Sequence, residues 1–200
     1  GANGNWSNPA NWDVGRSPVG DTTAIVTIVS GASFNPILET LTTVDDLNIQ
    51  SGGILTLGSY GLTVTDIFIV NGTLSWDGDQ TLSTIDTLGS ASTIEYTDPV
   101  GVAIQAWTYG NLKINRSGAA FTLPGNIDVD GDLTLTAGTL DVTASNYQLN
   151  IGGNYLNSAI FTSRTGTVIF DKASGTQTLN SGGVGVNEDF HHFHHSGSGT

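Results

Sequence analysis

One short phrase recurs along this chain and limits what it can fold into. Leu47-Asn48-Ile49-Gln50-Ser51-Gly52-Gly53-Ile54-Leu55-Thr56-Leu57 is one copy. Ile127-Asp128-Val129-Asp130-Gly131-Asp132-Leu133-Thr134-Leu135 and Gln148-Leu149-Asn150-Ile151-Gly152-Gly153-Asn154-Tyr155-Leu156 are others. Each reads apolar-polar-apolar, turns at Gly, and reads apolar-polar-apolar again. A period of two is the pattern of a strand with one buried face. No apolar series at helical spacing competes with it. The alternation predicts strands at 46–50, 54–57, 62–64, 67–70, 73–76 and 93–96. In the second half it predicts 112–115, 121–123, 127–129, 133–135, 139–142, 149–151, 160–162 and 167–170, after a first strand at 24–29. Short strands repeated this often predict a solenoid with coils of roughly 20 residues.

A longer period lies over the short one. Tyr109-Gly110-Asn111-Leu112 and Phe190-His191-His192-Phe193 occupy corresponding positions about 80 residues apart, each ahead of a Ser-Gly pair. The domain reading is an N-terminal cap over 1–22 and repeats over 23–200, about one and a half modules. The cap carries Gly4-Asn5-Trp6-Ser7 and Asn11-Trp12, two of the four Trp of the chain. Stacked coils bury each other's inward Ile, Leu and Val rows and leave Thr, Asn and Asp outside. The expected fold is therefore all-β, a right-handed parallel β-helix (β-solenoid) with a Trp-rich N-terminal cap.

Charge excludes some partners. The net charge is −13, with only five Lys and Arg. Nucleic acid needs cations to displace its counterions, and anionic membrane surfaces need them too. No run of 18 apolar residues is present, so no membrane insertion is expected. With no Cys there is no disulfide or thiolate site. The chain begins at Gly1, not Met, and finishes mid-pattern at Ser198-Gly199-Thr200, which reads as a processed product or a piece of something longer.

The Asn-Trp-Ser…Asn-Trp…Pro18…Asp21-Thr22 opening resembles the start of strand-rich modules in bacterial surface β-helix repeat proteins. Leu149–Asn154, Gly166–Asp171 and Phe190–Phe193 with Ser196–Thr200 resemble recurring phrases of the same filamentous-haemagglutinin-like and autotransporter-passenger repeats. That resemblance covers nearly the whole chain. It implies a secreted or cell-surface location and a structural role as stalk, fibre subunit or adhesin. Residues 77–92 and 97–106 depart from the pattern and read as a loop or insertion.

Few constellations suggest chemistry. Asp128, Asp130 and Asp132 alternate along one strand and turn, which makes them the candidate Ca²⁺ ligands. No other cofactor is expected. His191, His192, His194 and His195 include pairs at i, i+2 that suit Zn²⁺ geometrically, but the matching strand near Tyr109 has none. An enzyme is not expected. The alternative is a polysaccharide lyase or hydrolase, for which Asp128 and Asp130 supply a carboxylate pair while Arg16, Lys113, Arg116, Arg164 and Lys172 lie scattered. A glycan-binding variant would use exposed rings such as Trp76 and Trp107. The remaining partner reading is end-to-end self-association into filaments.

Overall fold

The structure, a computed structural model, describes residues 3–182 and 190–200. Repeat positions 183–189 therefore lie outside the described residues. Among the described residues every regular element is a strand except one 3₁₀ turn at Pro9–Asn11. All named strand pairs are parallel, and the strands stack as the coils of a β-solenoid. The chain divides into two compact units, Gly1–Thr93 and Ile94–Thr200.

In the first unit, Ile25–Ile28, Asp46–Ile49, Phe68–Val70 and Thr87–Leu88 stack in that order. Val26, Leu47 and Phe68 stand in register, and so do Ile28, Ile49 and Val70. All six are buried. A second pair, Thr42–Val44 on Leu62–Val64, and a third, Ile54–Gly58 on Thr73–Trp76, complete the coils. Alternation explains the selection: in each strand every second side chain points into the coil. The same apolar type at the same phase in successive coils then makes an unbroken apolar ladder.

The second unit repeats the scheme. Thr108–Tyr109, Ile127–Val129, Leu149–Ile151, Thr167–Phe170 and His192–His195 stack in order. Asn111–Thr122 lies on Leu133–Asp141, which in turn pairs with both Tyr155–Asn157 and Ile160–Thr162. Tyr155, Phe161, Phe170, Phe190 and Phe193 form one aromatic cluster, with ring centroids 5.1–6.3 Å apart.

The predicted strands 62–64, 73–76, 93–96, 127–129, 149–151, 160–162 and 167–170 coincide with the observed ones. Two predicted interruptions are absent. Residues 112–115 and 121–123 fall in or at the end of one strand, Asn111–Thr122, whose register slips at Asn115 and Ala120. Residues 133–135 and 139–142 similarly fall in or at the end of Leu133–Asp141. The departing stretch 77–92 is itself part of the stack. Leu82 bridges to Leu62, and Thr87–Leu88 pairs with Ile69 and Val70.

Candidate functional site

The three expected carboxylate ligands do different jobs. Asp128 stands on the outer face of its coil, in register with Thr108 and Asn150. Partial burial, and then the charges of Asp130 and Asp171, hold its carboxyl above the ordinary Asp range. The further carboxylate acting on Asp128 is thus Asp171, from the next coil but one. Asp132 is turned into a corner, where its Oδ1 accepts the Asn154 N–H at 2.6 Å. Among the described residues no three His, Asp or Glu side chains form a group that could hold a metal ion.

That corner is a structural device of its own. Asn111 Oδ1 accepts the Asp132 N–H at 2.8 Å, and Asn154 Oδ1 accepts the Thr178 N–H at 2.8 Å. Each Asx side chain therefore ties one coil to the next. The preceding glycines run beside them: Gly131 N–H donates to Gly110 O, and Gly153 N–H to Gly131 O. A Cβ on Gly153 would collide with the Gly131 carbonyl, so this close backbone approach requires glycine. The signal in the sequence is Gly110-Asn111, Gly131-Asp132 and Gly153-Asn154, one coil apart.

Other polar groups are used in the same way. Glu95 Oε1 meets Lys113 Nζ at 3.0 Å and accepts from Asn115 Nδ2 at 2.7 Å. Arg164 forks onto both Asp141 oxygens at 2.6 Å, which holds the Asp141 carboxyl below its ordinary range. Tyr96 and Tyr109 are fully buried with their hydroxyls 3.0 Å apart. The Gln105 N–H donates to Tyr96 Oη, and Tyr109 Oη donates to the Gln105 carbonyl. Desolvation raises the Tyr96 phenol to about 12 and raises Tyr109 too. Both hydroxyls stay protonated at neutral pH and act as a closed internal clasp.

His192–His195 is a strand paired with Thr167–Phe170, and all four His are exposed. Phe193 falls in register with Val168 and His194 with Ile169. Trp76 is buried in the core, and Trp107 is half-buried against Tyr109 at 6.0 Å.

The N-terminal segment forms a hook. Gly4 and Trp6 pair with Ile37 through backbone bonds of 2.7 and 2.9 Å. Glu39 receives Asn5 Nδ2, Ser7 N–H and Ser7 Oγ. Trp12 Nε1 donates to Trp6 O at 2.9 Å, and the two indoles meet edge to face at 4.8 Å. Between the hook and the first strand lies a recess of about 590 Å³, lined by Trp12, Arg16, Pro18, Phe34 and the strand itself.

No protein-family model, curated protein or solved structure matches the chain. The described geometry is that of a parallel β-solenoid in which Asn111, Asp132 and Asn154 tie successive coils together.

Proposed function

We propose that the chain is a structural segment of a bacterial cell-surface protein, serving as a stalk of the filamentous-haemagglutinin-like or autotransporter-passenger kind. The observation that carries this reading is the use of the polar side chains. Asn111, Asp132, Asn154, Glu95 and Asp141 spend their hydrogen-bonding capacity between coils. Three of the five cations, Arg16, Lys113 and Arg164, are in ion pairs with neighbouring acids. A catalytic cleft instead needs convergent groups held in unlike environments. Stacked backbone ladders supply stiffness along the stacking direction, and the acidic exterior favours solubility.

The test is location. An antibody raised against this chain should label intact, unpermeabilised cells of the source organism, and external protease should remove the label. Labelling that requires permeabilised cells would overturn the reading.

A further inference from the structure

Among the described residues, strand Ile25–Ile28 ends its sheet, with Asp46–Ile49 its sole partner. The direction of its bonds can be read from its neighbours. Ala24 O accepts from Asp45 and Asp46, and Ile28 O accepts from Gln50. In a parallel pair alternate residues use both peptide groups toward one neighbour. Ala24, Val26 and Ile28 therefore bond to the Asp46–Ile49 strand. The next strand shows the other half of the rule, because Leu47 N–H and Ile49 O bond onward to Ile67 and Asn71. By the same alternation the peptide groups of Ile25 and Thr27 point away from the stack, and no residue among those described pairs with them.

Ile25 and Thr27 are among the residues that line the recess. The hook closes the neighbouring position by adding Gly4 and Trp6 to Ile37, yet forms no pairing with Ile25–Ile28. A strand added to this edge would lie about 4.8 Å from Ile25–Ile28, and the recess beside that strand holds about 590 Å³. Its walls include the apolar faces of Trp12, Phe34 and Pro18. Its charged side chains are Asp13, Asp21 and Arg16. Arg16 pairs with Asp21 at 3.4 Å, and Asp13 has no ion pair among the described residues.

We infer that this recess is a docking site for an extended segment of a separate, basic polypeptide, which adds as a strand to the free edge of Ile25–Ile28. Apolar residues at alternate positions of that segment would continue the ladder above Val26 and Ile28. The charge favours a basic partner over a second copy, since two chains of −13 repel one another.

The probe is a fluorescent heptapeptide alternating Val and Thr between terminal lysines, titrated into the 200-residue chain. Saturable binding is expected, with slowed amide exchange at Ile25 and Thr27. Thr27→Pro removes a donor that has no partner in the fold, and proline is tolerated on such an edge. This variant should melt like the parent and bind the peptide about tenfold or more weakly, a loss of about 1.4 kcal/mol. The same peptide ended in glutamates should also bind about tenfold or more weakly. If Thr27→Pro fails to fold, N-methylated peptides decide on the parent chain: methylation along one edge of the peptide should abolish binding and along the other should not. Absence of saturable binding, binding indifferent to Thr27→Pro or to the methylated edge, or slowed exchange at Ile25 that appears only on raising the chain's own concentration would each overturn the proposal.

Discussion

Asp128 shows how one side chain can oppose the stack it belongs to. Burial and the nearby charges of Asp130 and Asp171 raise its pKa, so the folded chain favours the protonated form. A group of this kind weakens the fold at neutral pH. The penalty fades as pH falls through the raised folded value toward the unfolded one. Asp128→Asn removes the charge and places an amide in register beside Asn150. The variant should melt on the order of 1–2 °C higher at pH 7, and the gap should close as the pH is lowered through the carboxylate range. A thermal melt series checks this, and a gap independent of pH would contradict it. Asp132, two turns of alternation later, was legible as a carboxylate but not as a tie. Spacing within one phrase suggested a shared face. Its real partner, the Asn154 N–H, sits one coil away and shows in the sequence only when Gly-Asx pairs are aligned between coils.

At the scale of the strand, burial decides how much each aromatic contributes. Phe170 is 1% exposed and touches Tyr155, Phe190 and Phe193. Truncating it leaves a cavity in the cluster, and Phe170→Ala should cost about 3–5 kcal/mol in a urea melt. Phe193 is 55% exposed, and Phe193→Ala should cost less than about 1 kcal/mol. Equal losses would contradict the placement of the core. Strands were legible where apolar residues alternate, as at Leu62–Val64 and Thr167–Phe170. They were not legible where side chains replace backbone partners. In the stretch 77–92, Ser83 Oγ accepts the Val64 N–H and Asp86 Oδ2 accepts the Phe68 N–H, each at 2.8 Å. A coil tied by polar side chains has no apolar period to read. The bulged strand Asn111–Thr122 hid for a different reason. Its Arg116-Ser117-Gly118 reads as a turn, with Gly118 at φ 80°, while flanking Leu112 and Phe121 stay in register with Leu133 and Leu140.

Within each compact unit, stability is divided among neighbouring coils. A coil is held by the ones beside it, through apolar ladders inside and Asx or charged ties outside. The −13 charge adds repulsion between chains, which weakens with salt. The most direct test of the proposed stalk role is to stretch single chains from end to end by force spectroscopy. Release in successive steps of about 20 residues, each lengthening the chain by about 70 Å, is the expected result. Smooth extension without resisting steps, or release of all coils in one event, would contradict it.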